Sequence, residues 1–310
     1  MTPIFEFLLV FSAIGCGWLL GRYASGGLPF SEGHAQAYRQ YYSGLNFLLN
    51  DKPDEAIDAF TRSLPVTPET FETHLALGNM LRTKGAVEQA IHIHQNLLAR
   101  PDLPPARLQQ AHLELARDFI RAGLYDRAES LLLELVQQSE ELRPVCLRHL
   151  VEIYQAEREW GKAIEAGSKL LPRRNIFLSA PYPDPTLEQA LAHYHCELAQ
   201  TAAERGEFDE ARREVKNALR RDKNSVRASL LQGEIEYRAG NYQRAIDALM
   251  RVREQQPAMV PELLPLLRDC FDATGKRPTL RQLLEECLEQ APASRLVVAI
   301  AEEITLQESS

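Results

Sequence analysis

The 310-residue chain is 45% hydrophobic and 25% charged, with 43 acidic against 35 basic side chains and a formal net charge of -8, the balance of a folded, mildly acidic protein. That balance argues against a nucleic-acid partner, because a phosphate-binding surface needs clustered Lys and Arg and the basic runs here are short pieces such as Arg173-Arg174 and Arg220-Arg221. Five cysteines (Cys16, Cys146, Cys196, Cys270 and Cys287) with no Cys-x-x-Cys pair exclude a disulfide framework and a zinc ribbon alike.

Residues 4–20 are almost wholly apolar, broken by Glu6, and run into Gly21-Arg22. Such a run is near the lower limit of about 17 residues for a helix that crosses a bilayer. Trp18 suits an interfacial belt, and Arg22 is the first cationic side chain, which by the positive-inside rule directs the rest of the chain to the cytoplasm. The pattern predicts a single-pass anchor over residues 1–23 and a polar, glycine-rich linker over 24–36. A cleaved signal peptide opens on a positive segment, which residues 1–6 lack. The rival is a lipoprotein, since Ala13-Ile14-Gly15-Cys16 resembles an acylation box, but the apolar run continues past Cys16.

From residue 37 onward the chain repeats. Arg-Ala-Gly-x-Tyr-x-Arg-Ala occurs at 121–128 and again at 238–245, and small residues recur at Ala56, Ala90, Ala128, Ala163, Ala211 and Ala245, with spacings of 34, 38, 35, 48 and 34. A 34-residue period is the tetratricopeptide signature, two amphipathic helices per unit. With each marker alanine set at position 20, Gly44, Gly78, Ala116, Ala199 and Gly233 fall at position 8, where two helices of a pair press together, and Val151 is the exception. Position 11 holds Phe47, Leu81, Phe119 and Tyr154, then Ala202 and Glu236 late in the chain. Glycines precede the second helices at 85, 123, 206 and 240.

The units begin near residues 37, 71, 109, 144, 192 and 226, with a weak seventh near 260 and an incomplete one over 294–306. The longest spacing carries fourteen extra residues, expected as a loop over 172–186. The expected fold is all-α: an N-terminal transmembrane helix, then a superhelical solenoid of about seven repeats over 37–310. The apolar side of residues 296–301 would need a cover from a partner or from further sequence.

On the first helix of each pair, positions 2, 5, 9 and 12 share a stripe facing the concave side. That stripe selects Asn79 and Arg82, Arg117, then Arg148, Glu152 and Gln155, then Gln200, and finally Arg227, Glu234 and Tyr237. A polar, Arg-rich lining suits an extended peptide or an acidic tail.

Catalytic patterns are scarce. His92 and His94, like His193 and His195, are two apart, which on a helix separates their rings and gives no shared metal site. Cys196 between Tyr194 and Leu198 reads as a small packing residue. No phosphate-cradling glycine loop and no nucleophile elbow occurs.

Contiguous runs carry more specific information than the spaced repeat positions. Residues 44–49 (Gly-Leu-Asn-Phe-Leu-Leu), 74–79 (His-Leu-Ala-Leu-Gly-Asn) and 90–95 (Ala-Ile-His-Ile-His-Gln) resemble the first two repeats of the lipopolysaccharide assembly protein B family. Residues 122–129, 193–199 and 222–225 are similar to its middle repeats, in the same order. The resemblance implies a non-enzymatic inner-membrane adaptor facing the cytoplasm. It implies two protein partners, a membrane-bound AAA-type zinc metalloprotease and the deacetylase of lipid A synthesis, whose turnover the adaptor promotes. The family ends in a rubredoxin-like module with two Cys-x-x-Cys pairs, and this chain supplies none of those metal ligands, so no cofactor is expected. A homo-oligomer is left open, and the alternative is a pilotin-like lipoprotein scaffold of a pilus or secretion assembly.

Overall fold

In the computed structural model, helices stop wherever the sequence offers a left-handed turn. The structure describes residues 70–100, 103–171 and 184–290, with single positions or short groups at 18, 42–44, 46–47, 50, 52, 55–56, 59 and 301. Twelve α-helices and one short 3-10 turn, Pro257–Met259, are laid out among them, and no strand occurs among the described residues. The chain divides into two compact units, Met1–Ala128 and Glu129–Ser310.

The first unit holds α1 (Phe71–Lys84), α2 (Val87–Leu98) and α3 (Pro105–Arg121), together with the start of α4 (Tyr125–Gln138). Its core is built from Phe71, Leu75, Leu97, Leu103 and Ala111, and from Leu77, Leu81, Ala90 and Ile93 gathered around Ala56. Burying a side chain of this size contributes about 1.5–3 kcal/mol. The helix pair α1–α2 closes on Gly78, where an added Cβ would run into the His94 ring.

The second unit continues through α5 (Arg143–Ala156), α6 (Trp160–Leu170), α7 (Pro185–Glu204), α8 (Phe208–Arg221), α9 (Val226–Arg238), α10 (Tyr242–Gln255), α11 (Val260–Ala273) and α12 (Arg277–Gln290). Ala192, Cys196, Ala199, Ala211, Val215 and Ile235 make one cluster, and a second runs from Ala245 and Leu249 through Leu264 and Phe271 to Leu284. The seventh repeat therefore folds as a helix pair, with Leu280 buried in place of the marker alanine.

All six marker alanines are fully buried. Each first helix from α1 onward ends in the same way: the N–H of the residue after the left-handed position donates to a carbonyl five residues back. These bonds run from Ala86 to Leu81, Leu124 to Phe119, Glu159 to Tyr154, Glu207 to Ala202, Asn241 to Glu236 and Lys276 to Phe271, at 2.8–2.9 Å. This is the Schellman pattern that satisfies orphan carbonyls at a helix end.

The expected loop over 172–186 is corrected in part. Asp184 caps α7 by accepting from Thr186 N (3.1 Å) and Leu187 N (3.4 Å), and Pro185 occupies the first turn. An N-cap carboxylate followed by proline is a strong helix start, so helix begins seven residues ahead of the expected repeat boundary at Ala192. Repeat three likewise starts early, at Pro105. The anchor over 1–23 apart from Trp18, the linker over 24–36, most of repeat one, the expected loop up to residue 183 and the helix over 294–306 apart from Ala301 lie outside the described residues. No helix among the described residues is long and apolar enough to cross a membrane.

Candidate partner-binding surfaces

In the first unit the predicted groove residues converge on two buried carboxylates of α3. Arg82 donates from Nη1 to Asp118 Oδ1 (2.9 Å) and to the Glu114 carbonyl (3.2 Å), and from Nη2 to Glu114 Oε2 (2.8 Å) and Asn79 Oδ1 (2.9 Å). Arg117 donates to Glu114 Oε1 at 2.6 Å. His94 Nδ1 meets the other Asp118 oxygen at 2.5 Å. Asn79, Arg82 and Arg117 are thus brought together, but their polar atoms hold each other. The result is a fixed, charge-compensated plate, because charge-assisted bonds of this kind lock side-chain geometry.

In the second unit, Gln155 on α5 accepts from Tyr194 OH at 2.8 Å, and Trp160 stacks on Tyr194 with centroids 5.6 Å apart. Glu152 pairs with His149 Nδ1 at 2.9 Å, and Arg148 is exposed on the same helix.

Gln200, Arg227 and Glu234 line one cavity of about 290 Å³ between α7 and α9, whose floor is Ala203, Leu230, Leu231 and Ile235. Arg238 and Glu204 complete its rim. Arg227 donates to Glu197 Oε1 (2.5 Å) and reaches His193 Nδ1 at 2.7 Å. Arginine has no acceptor, so His193 Nδ1 must accept. The pKa of His193 agrees, because burial and then the Arg227 cation push it down, outweighing Glu197. The cavity offers an apolar floor with charges of both signs at its edge, a lining that fits a peptide side chain.

Tyr237 stands apart from this cavity. Its hydroxyl donates to Asp269 Oδ2 at 3.2 Å, and its ring meets Tyr242 edge-on. The Asp269 charge raises the phenol pKa. Trp18 is helical and exposed, and Arg22 lies outside the described residues. The residues selected from the sequence do not include Leu230 and Leu231, although Leu230 occupies position 5 of the stripe and both line the cavity. Trp160 lies on a second helix, which the stripe did not sample.

No trio of His, Cys, Asp or Glu is arranged to hold a metal among the described residues. Cys196 is buried, and burial pushes its thiol up to about 11, so it stays protonated at neutral pH and is a poor nucleophile.

A tetratricopeptide-repeat family model matches residues 196–259. A crystal structure of the MamA protein is similar over 63% of this chain and 96% of its own, at 19% identity and a TM-score of 0.40. A tetratricopeptide repeat protein from Parabacteroides merdae covers 78% of this chain and 88% of its own, at 15% identity and the same TM-score of 0.40. Lipopolysaccharide assembly protein B of Haemophilus influenzae is 34% identical over 277 residues, 86% of this chain and 66% of the relative. The protein of the same name from Escherichia coli K12 is 33% identical over 304 residues, 98% of this chain and 75% of the relative. An identity of 33% sustained over 304 residues, 98% of this chain and 75% of the relative, places this chain in the lipopolysaccharide assembly protein B family.

Proposed function

We propose that the chain is a non-enzymatic adaptor that couples the lipid A pathway deacetylase to a membrane-bound AAA-type metalloprotease and so limits lipopolysaccharide output. The observation that carries the reading is the 33% identity to the Escherichia coli protein across 98% of this chain. The polar, preorganised faces of α1, α3, α7 and α9 support it, since such surfaces recognise a partner with little ordering cost. In this reading the repeats face the cytoplasm and residues 1–23 hold them at the inner membrane, so that substrate and protease meet at one surface.

The test is the cellular half-life of the deacetylase in matched strains with and without this chain. A longer half-life on deletion is expected. An unchanged half-life overturns the coupling and leaves a scaffold with another client.

A further inference from the structure

The second unit carries another groove, between the second helices α8 and α10 and not between first helices. The first helices α7 and α9 pack on each other, whereas α8 and α10 stand on either side of a cavity of about 510 Å³. Five exposed cations line it: Lys216 and Arg220 on α8, Lys223 in the turn that follows, and Arg244 and Arg251 on α10. Spacings of four on α8 and seven on α10 keep each set along one side of its helix. Val215, Leu219 and Ile235 form an apolar floor beneath them.

One carboxylate, Glu236, lines the groove, and it is already held. Arg212 grips it from Nε at 2.9 Å and Nη2 at 3.1 Å, and Asn241 donates to it at 2.8 Å. Burial raises the Glu236 pKa, but these bonds and the charges of Arg212 and Arg244 outweigh it, so it stays ionised and paired. Asp209 is likewise bound by Arg212, and Asp247 accepts from Gln243. The contacts of Arg220 and Arg251 are with the neutral amides of Asn217 and Gln232, which leave their charge uncompensated. In a chain of net charge -8, this is a local reversal of sign.

We propose that this groove docks an acidic segment of a protein partner, its carboxylates against the two cationic rails and one or two apolar side chains on the Val215, Leu219 and Ile235 floor. The lining argues for this occupant over other polyanions. Single-stranded nucleic acid is held by aromatic stacking platforms, and the lining contains no aromatic residue. A bilayer surface would meet the charged rim but leave the recessed floor unfilled. The groove shares only Ile235 with the cavity lined by Gln200, Arg227 and Glu234, and its test does not depend on the deacetylase.

The experiment is fluorescence anisotropy with the full chain and a short fluorescein-labelled peptide of mixed Glu and Leu. The same peptide with Gln for Glu, an oligouridine RNA and phosphatidylglycerol vesicles are run beside it. Two double variants, Lys216→Gln with Arg220→Gln and Arg244→Gln with Arg251→Gln, change only exposed side chains, and melting temperature checks their fold. Binding of the Glu/Leu peptide alone is expected, weakening with salt and falling about tenfold in each double variant. Equal affinity in the variants, no salt dependence, no binding of the peptide, or a preference for RNA or vesicles overturns the proposal.

Discussion

His94 Nδ1 lies 2.5 Å from Asp118 Oδ2, and both side chains are fully excluded from solvent. Asp118 presents its other oxygen to Arg82 at 2.9 Å, so one carboxylate joins α1, α2 and α3. Removing it strands the buried imidazole and leaves Arg82 with Glu114 as its remaining carboxylate partner. Breaking a buried pair from one side costs about 3–5 kcal/mol. Asp118→Ala is therefore expected to lower the unfolding free energy of the first unit, read from urea denaturation, by that order, while an exposed substitution on α3 such as Arg121→Ala leaves it nearly unchanged. A loss below about 1 kcal/mol would mean that the triad is replaceable by water.

Arg158 sits at φ 59°, where the equivalent positions of other repeats carry Gly123, Gly206 and Gly240 at φ 72–78°. A left-handed conformation costs a non-glycine residue about 1–2 kcal/mol, partly offset by the greater freedom glycine loses on folding. Arg158→Gly is expected to stabilise the second unit by roughly 0.5–1 kcal/mol. Gly240→Ala, where a Cβ would meet nothing within 4 Å, is expected to destabilise it by roughly 1 kcal/mol through backbone strain alone. Chemical denaturation of both variants reads the two signs, and a destabilising Arg158→Gly would show that the arginine side chain matters more than its backbone.

These turns show how far the repeat pattern was legible. Small residues at a fixed period announce close helix approach, and the six buried alanines and the tight approach at Gly78 follow directly. The seventh repeat was harder to see because Leu280 replaces alanine at the marker, although Gly275 (φ 68°) keeps its turn. Pro185 and Thr186 fall in the expected loop over 172–186 but are helical, because a proline cluster reads as a breaker unless Asp184 is recognised as a helix cap. Polar groove residues were legible as positions, but not as partners: nothing in the spacing of Arg82 told that its donors would be used by Glu114 and Asp118. The basic groove was hidden for a related reason. Its cations lie 28 residues apart across two helices, as with Lys216 and Arg244, and no linear run reveals them.

His74 gives the first unit an acid sensitivity. Burial lowers its pKa below 6.5, helped by the Arg100 cation and by His94. The unfolded chain then takes up a proton first as pH falls, so this contribution is fully present above about 6.5 and is lost as pH drops toward the folded value. Glu165 and Glu236, whose pKa values are lowered from 4.5, act only in a more acidic window. The urea midpoint is expected to fall between about pH 7.5 and pH 5.5, and the drop should shrink in His74→Gln. An equal drop in that variant would move the acid sensitivity elsewhere.

Glu234 and Arg238 stand one helical turn apart at the edge of the α7–α9 cavity, above Leu230 and Leu231. Neither is among the charged groups holding the fold together in the way Arg212 holds Glu236, so exchanging their signs should spare stability. Rim charges set encounter and register more than intrinsic fold energy, and surface changes of this kind usually stay within about 0.5 kcal/mol. The double exchange Glu234→Arg with Arg238→Glu is expected to leave the melting temperature within a degree or two of the parent chain. If the cavity receives the client, the half-life of the deacetylase should rise about threefold or more toward that of the deletion strain, as repulsion at a rim typically costs a kcal/mol or so. Arg148→Glu on the neighbouring exposed face of α5 serves as the control for mere charge. A half-life unchanged by the cavity exchange but lengthened by the α5 variant would place the client on α5 and not between α7 and α9.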